Sequence, residues 1–231
     1  MNLFVAAVFL AGTGAAALAG TITGNVHAEG KADADSGTAT DGAYANRKYK
    51  FVEKVDYSAM HDFVVYVEGA VGTNSTPSTN VTQVTTARIA QQAATFSPHV
   101  LPVVIGTTVE WPNNDSIYHN VFSMSDAKQF DLGLYKGNPT NKFVVFDKPG
   151  RVDVFCSIHS NMHCIVLVLE NPYFASTDEN GNFKIPDVPP GTYKLKAWQE
   201  RLPADEKEII VPTNGEVKVN FTLGIKNLPQ Y

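Results

Sequence analysis

The stretch Arg151-Val-Asp-Val-Phe-Cys-Ser-Ile-His-Ser-Asn-Met-His-Cys-Ile-Val-Leu-Val-Leu169 predicts two neighbouring β-strands joined by a short loop. The first part alternates, so that Val152, Val154 and Cys156 point to one side, as in a half-buried strand. The last five residues, from Ile165 to Leu169, form an unbroken apolar run, which is typical of a strand buried on both faces. The loop between the strands carries the side chains with the most distinctive chemistry.

Cys156, His159 and Met162 lie three residues apart on this loop. A thiolate, an imidazole and a thioether are soft ligands that favour copper. One Cys, two His and a weak axial Met form the ligand set of type 1 (blue) copper. Such a site needs a second histidine from another part of the chain, and the candidate is His119, within the segment Ser116-Ile-Tyr-His-Asn-Val-Phe-Ser123.

Two segments, Asp115 to Val121 and Cys156-x-x-His-x-x-Met162, resemble the ligand segments of cupredoxins, and the loop is most similar to that of the amicyanins. The resemblance covers residues 92–170 approximately and extends to plastocyanin-like and methylamine-utilization proteins. It implies one type 1 copper ion with four ligands: His119, Cys156, His159 and Met162. It also implies that Asn120 joins the two ligand segments by hydrogen bonding.

The resemblance further implies a one-electron carrier. The ring edge of His159 would lie at the surface and pass electrons to a docked redox partner. An apolar rim is expected from four side chains: Tyr118, Phe155, Ile158 and Met162. Redox encounters use small and weak interfaces, so this partner is expected to bind transiently.

The two cysteines, Cys156 and Cys164, allow an alternative. In an exported protein a pair of cysteines first suggests a disulfide. Such a bridge would close a very short loop and leave His159 and Met162 unexplained, whereas a metal site accounts for both. With a metal site, Cys164 would be a small buried residue or a spare thiol.

Two further histidines lie near the predicted strands. His163 follows Met162 directly and would be either a replacement ligand or, as we prefer, an imidazole at the rim of the site. His99, in Ser97-Pro-His-Val100, is expected to be structural.

Residues 1–19 resemble a signal peptide. Leu3 to Leu10 form an apolar core, and Ala17-Leu-Ala19 matches a cleavage motif, although no Lys or Arg precedes the core. We therefore expect export to the periplasm or the extracellular space. The alternative is an uncleaved membrane anchor, and no other stretch is long and apolar enough to span a bilayer.

The order of predicted strands gives the fold class, which is all-β. A dense series of predicted strands predicts a Greek-key cupredoxin sandwich over residues 87–172. Their approximate bounds are 88–96, 100–111, 119–124, 129–135, 142–147, 151–156 and 164–170. Residues 173–231 resemble a transthyretin-like, carboxypeptidase-regulatory β-module. Residues 20–86 contain strands and a Ser/Thr/Asn-rich linker. We expect the N-terminal strands to pair with the C-terminal module, with the cupredoxin segment inserted between them; the alternative places these strands in the cupredoxin sheet.

Composition and motifs argue against several other functions. The net charge of −5 comes without a basic cluster, so no nucleic-acid partner is expected. The chain has no His-x-His pair, nucleophile elbow or Gly-rich phosphate loop, so we expect neither an enzyme nor a small-molecule substrate. Two alternatives to the electron carrier stay open: a non-redox copper protein for storage, sensing or delivery, and a structural envelope β-protein.

Overall fold

A computed structural model describes residues 19–30, 56–71, 86–137, 139 and 141–224 of the chain. The predicted all-β class is confirmed: within these residues the structure contains strands, turns and one short 3-10 helix, Tyr57–Ala59. None of the described helical segments has the length and apolar character needed to cross a bilayer. Residues 1–18 of the predicted signal peptide and most of the predicted linker lie outside the described residues.

The strands, in chain order, are β1 (Gly20–Glu29), β2 (Val64–Val67), β3 (Thr86–Arg88), β4 (Ala90–Gln92), β5 (Thr95–Ser97), β6 (Val100–Val104), β7 (Thr107–Glu110), β8 (His119–Ser125), β9 (Lys128–Tyr135), β10 (Phe143–Phe146), β11 (Gly150–Phe155), β12 (His163–Leu169), β13 (Phe174–Ser176), β14 (Asn182–Val188), β15 (Gly191–Gln199), β16 (Leu202–Val211), β17 (Glu216–Lys218) and β18 (Phe221–Gly224).

Strands β3 to β12 form a first β-sandwich. One sheet has the order β6-β12-β11-β8-β9, the other has the order β10-β7-β3, and β4 and β5 form a hairpin beside them. The apolar side chains between the sheets include Trp111, Val121, Phe146, Val152 and Val166, none of which is exposed. Strands β11 and β12 are antiparallel neighbours, with Val154 opposite Cys164. The loop that carries Cys156, His159 and Met162 therefore lies at one end of this sheet.

Two predicted strands of this sandwich are each divided in the structure. The strand predicted over 100–111 is interrupted by a turn at Gly106, whose φ is +89°, a conformation that glycine adopts without a steric penalty. The strand predicted over 88–96 turns back on itself at Ala93 and Ala94, both with φ of +52°. Alanine does not favour this left-handed conformation, so the sequence gives no signal for the turn.

Strands from both ends of the described chain form a second β-sandwich. β1 pairs with β14, β17 and β18, with Ile22 opposite Ile185. In the other sheet β2 lies between β13 and β15, and β15 pairs with β16. The strands that precede the first sandwich in the chain, β1 and β2, thus pair with strands that follow it.

The two sandwiches meet on the outer face of β12. Side chains of this strand alternate: Cys164, Val166 and Val168 point into the first core, whereas Ile165, Leu167 and Leu169 point away from it. The outward set packs against side chains of the second sandwich: Val64, Tyr66, Phe174 and Trp198. The predicted burial of Ile165 to Leu169 on both faces is observed, and the second sandwich covers the outer face.

Asn171 holds the connection between the sandwiches. It is 5% exposed, and its amide nitrogen donates to the backbone oxygens of Val67 and Gly69 at 2.7 and 2.6 Å. Its amide oxygen accepts from the N–H of Tyr173 at 2.9 Å. One side chain therefore satisfies three backbone groups where the chain passes from β12 to β13.

We expect Asn171→Asp to lower the free energy of unfolding by about 2–4 kcal/mol. The carboxylate keeps the shape but cannot donate, and each buried carbonyl left without a donor costs about 1–3 kcal/mol. Urea unfolding at neutral pH measures the loss, with the exposed Asn141 changed to Asp as the matched control. A loss no larger than that of the control would show that this amide is not a structural link.

Candidate metal centre

Three predicted ligands converge at the end of the first sandwich. His119 is the first residue of β8, Cys156 directly follows β11, and His159 lies in the loop before β12. Nδ1 of His159 lies 3.0 Å from Nδ1 of His119 and 3.6 Å from Sγ of Cys156. Among the described residues, these three form one of two clusters of ligand atoms suited to a metal ion.

The fourth predicted ligand, Met162, lies at the far end of the same loop. It is 1% exposed and packs in the same core cluster as Cys156. Two backbone hydrogen bonds shape the loop: the N–H of Met162 donates to the oxygen of His159 at 3.1 Å, and the N–H of Cys156 donates to the oxygen of Met162 at 3.3 Å. The loop is thereby closed between the ends of two paired strands.

The converging atoms fit a metal ion. Metal–nitrogen and metal–sulfur bonds of about 2.0–2.3 Å place neighbouring ligand atoms roughly 3.3–4 Å apart. The distances of 3.0 and 3.6 Å lie close to that range. Two imidazole nitrogens with a thiol, and a thioether at the end of the same loop, form a donor set that selects copper over harder ions.

A carboxylate that the sequence did not identify as functional orients His119. Oδ2 of Asp115 lies 2.8 Å from Nε2 of His119, whose side chain is fully buried. An ionised carboxylate only accepts hydrogen bonds, so Nε2 carries the proton and Nδ1 keeps its lone pair for the cluster. Carboxylate partners of this kind fix the orientation and raise the basicity of ligating histidines.

Asp115 is itself held ionised by backbone donors. The N–H of Ala94 lowers the pKa of its carboxyl group most, burial opposes this effect, and the hydrogen bonds from His119 and the Ala93 N–H lower the pKa further. The two alanine N–H groups lie 2.8 and 2.9 Å from the carboxylate oxygens. The left-handed turn at these alanines therefore delivers the donors that fix the carboxylate beside His119.

Asn120 contacts the ligand loop through its backbone. Its N–H donates to Sγ of Cys156 at 3.4 Å, which links β8 to the loop. Its side chain points elsewhere: Nδ2 donates to Asp131 on β9 at 2.7 Å. The predicted link between the ligand segments is thus made by the main chain of Asn120, and the amide group fixes β8 against β9.

Several large apolar side chains are exposed on or near the ligand loop. Side chains that are about half exposed include Ile117, Tyr118 and Ile158, and Phe155 is 39% exposed. Met162 was predicted to join this rim, but the prediction is wrong, because its side chain is buried in the core. His159, within the loop, is partly exposed.

The other cysteine and histidines lie away from the three converging atoms. Cys156 and Cys164 are both free thiols, so the alternative disulfide is absent. Complete burial raises the pKa of the Cys164 thiol well above its ordinary value. His163 is half-buried, lies 2.9 Å from Asp153 and stacks on Phe155, and it is outside the His119 cluster.

A family model matches part of the second sandwich. The model described as "Polysaccharide lyase family 4, domain II" matches residues 168–219, from the end of β12 to just beyond β17. The resemblance of this region to a transthyretin-like module stays a prediction. No curated protein matches the chain.

The solved structures to which the chain is similar include copper proteins. A Cu-containing nitrite reductase from Thermus scotoductus SA-01 is 26% identical with a TM-score of 0.34, over 37% of this chain and 22% of that chain. A purple cupredoxin from Nitrosopumilus maritimus is 28% identical with a TM-score of 0.31, over 36% and 98%. A reduced Cu(I) form of an amicyanin mutant is 21% identical with a TM-score of 0.32, over 36% and 81%.

We expect Asp115→Asn to weaken metal binding at this centre about 10- to 100-fold, the usual effect of removing a carboxylate that supports a ligating histidine. The carboxylate of Asp115 accepts hydrogen bonds from Ala93, Ala94 and His119. The NH₂ group of an asparagine cannot accept, so at least one of these bonds is lost, and the turn at Ala93 and the orientation of His119 are disturbed. Copper affinity is measured by competition with a chelator. The exposed Asp126, changed to Asn, is the matched control, and equal affinities of the two variants would contradict the role of Asp115.

Proposed function

We propose that the protein is an exported type 1 copper protein that carries one electron at a time. The observation that supports this most directly is that His159 Nδ1 lies 3.0 Å from His119 Nδ1 and 3.6 Å from Cys156 Sγ. The ligand atoms of all three residues lie within 4.8 Å of one another. Copper bound by such ligands supplies reversible one-electron chemistry between Cu(II) and Cu(I).

The side chains of the protein would hold copper in a fixed frame. Cys156 as a thiolate and the two histidines as neutral imidazoles would be the strong ligands, and the thioether of buried Met162 would be the weak one. Asp115 keeps the proton of His119 on Nε2, and the N–H of Asn120 donates to the sulfur. Hydrogen bonds to a ligating sulfur and a rigid strand support favour a site with little rearrangement between oxidation states.

An electron would leave through His159. Cys156 and Met162 are 6% and 1% exposed and His119 is fully buried, whereas His159 is partly exposed. The surrounding rim of Ile117, Tyr118 and Ile158 offers an apolar patch to a partner protein. A small patch of this kind supports a transient redox encounter rather than a stable complex.

A copper store, sensor or delivery protein is the second candidate. Delivery requires that ligands exchange with those of a partner, and the burial of His119, Cys156 and Met162 works against such exchange. A structural envelope protein would leave the supported His–Cys–His cluster without a purpose. Since the four ligands form a complete set, we propose no substrate-binding position on the metal and no enzymatic reaction at this centre.

Export and domain limits belong to the same proposal. The predicted signal peptide at residues 1–19 would direct the chain to the periplasm or the extracellular space. We propose residues 87–172 as the copper domain and residues 173–231, together with strands from residues 20–86, as the β-module that carries it. The pairing of β1 with β14, β17 and β18, and of β2 with β13 and β15, supports this division.

The first test is an optical and EPR spectrum with one equivalent of Cu(II). We expect intense visible absorption from thiolate-to-copper charge transfer and a narrow copper hyperfine splitting, both lost in Cys156→Ala. Cys164→Ala is the matched control, because this second thiol is buried in the same core and is not part of the His119–Cys156–His159 cluster. A colourless protein, or equal loss in both variants, would overturn the type 1 assignment.

Voltammetry of the copper-loaded protein distinguishes the carrier from the store. An electron carrier gives a reversible one-electron wave, and its exchange with a small redox protein is slowed when Ile158 on the rim is changed to Lys. Met124, an exposed residue of β8, changed to Lys, is the control for surface charge. An irreversible wave accompanied by copper loss on reduction would favour storage or delivery.

A further inference from the structure

A second group of potential ligands lies where the two sandwiches meet. His99, His163 and Glu200 each offer a ligand atom, and these atoms lie within 4.8 Å of one another. His99 immediately precedes β6, His163 begins β12, and Glu200 lies in the turn between β15 and β16. Two ligands therefore belong to the first sandwich and one to the second.

We propose that His99, His163 and Glu200 form a second metal site, which takes a divalent transition-metal ion of the Zn²⁺ or Cu²⁺ type. Two imidazoles and a carboxylate, with a water molecule completing the shell, form a common ligand set for such ions. This proposal goes beyond the electron-carrier function and does not depend on it, because it shares no ligand with the Cys156 centre.

The Nδ1 contact of His99 is that of a ligating histidine, and a metal ion would replace the proton that Nε2 donates to Glu200. Its Nδ1 lies 3.2 Å from the backbone oxygen of His163, which can only accept, so Nδ1 donates. Its Nε2 lies 2.8 Å from Oε2 of Glu200. Histidine ligands usually donate one ring N–H to a carbonyl or carboxylate and bind the metal with the other nitrogen. Nε2 of His99 is thus directed at the carboxylate that would share the ion.

His163 is oriented in the same way by a carboxylate. Its Nε2 lies 2.9 Å from Oδ1 of Asp153, and its ring stacks on Phe155 at a centroid distance of 4.8 Å. Burial works to raise the pKa of Asp153, but hydrogen bonds from Arg151 and His163 outweigh burial and hold the pKa below its ordinary value. Asp153 therefore accepts the Nε2 proton, and Nδ1 of His163 is left for an ion.

The charges and the exposure of the cluster suit a cation. Arg151 is paired with Asp153 at 2.7 and 2.8 Å, so its positive charge is compensated, and Glu200 adds one negative charge. The side chains of His99, His163 and Glu200 are 35%, 27% and 18% exposed. An ion from solvent can reach them, while few water molecules compete for the same atoms.

A hydrogen bond between His99 and Glu200 that only joins the sandwiches is the simpler interpretation. This interpretation requires a hydrogen-bond acceptor at position 200, but it requires neither His163 nor a negative charge on Glu200. Glu200→Gln separates the two interpretations, because the amide oxygen still accepts from Nε2 of His99 but is a poor metal ligand. A structural role predicts that this variant behaves as the original chain does.

The experiment adds Zn²⁺ to the full-length, copper-loaded protein without a histidine tag and measures bound zinc by equilibrium dialysis and the shift of the thermal midpoint. We expect one zinc per chain and a higher midpoint, since an ion that binds only the folded state stabilises it. His99→Ala and Glu200→Gln should each weaken zinc binding about tenfold or more. His27→Ala is the matched control, because His27 and Glu29 form an exposed His–Glu pair.

The result distinguishes the two proposals. Zinc binding lost in both variants and kept in the control supports the second site, even if the Cys156 centre takes no copper. Repeating the titration with excess Cu²⁺ should add an EPR signal with wide hyperfine splitting that is lost in His99→Ala. No bound zinc in the original chain, or equal affinity in Glu200→Gln, would overturn the second site and leave the electron-carrier proposal untouched.

Discussion

The burial of β12 on both faces is the constraint on which the rest of the structure depends. Its inner side chains complete the first core, and its outer ones, Ile165, Leu167 and Leu169, are covered by the second sandwich. Full burial of one Ile or Leu side chain contributes about 1.5–3 kcal/mol. Without the second sandwich, these three side chains would be exposed to solvent. Since β12 begins one residue after Met162, the same packing also fixes one end of the ligand loop.

The other side of the candidate metal centre depends on one carboxylate. Left-handed backbone costs about 1–2 kcal/mol for each alanine, so the turn at Ala93 and Ala94 needs compensation. Hydrogen bonds to a charged group contribute about 1.5–3 kcal/mol each, and Asp115 accepts one from each alanine. Asp115 therefore offsets the strain of this turn, and the same carboxylate orients His119. Local backbone strain and ligand geometry are coupled through a single side chain.

The sequence predicted the parts of this arrangement that local patterns encode. Alternation and the apolar run placed β11 and β12 within one residue of their observed bounds, and ligand chemistry selected His119, Cys156 and His159, which the fold brings together. Local patterns do not predict contacts between segments that are distant in the chain. Nothing near Asp115 indicates that its partners are Ala93 and His119. The apolar run showed that β12 is covered, but the identity of the covering strands depends on pairing between distant segments.

The two-residue period of β12 also explains why the meeting surface of the sandwiches and the ligand loop are not independent. Met162 and Cys164 face the first core, so His163 between them must face outward, toward His99 and the turn that carries Glu200. Met162 and His163 are consecutive residues. A backbone shift at His163, caused by altered packing on the outer face of β12, would therefore also shift Met162. Through β12, the second sandwich therefore also supports the loop that carries Cys156, His159 and Met162.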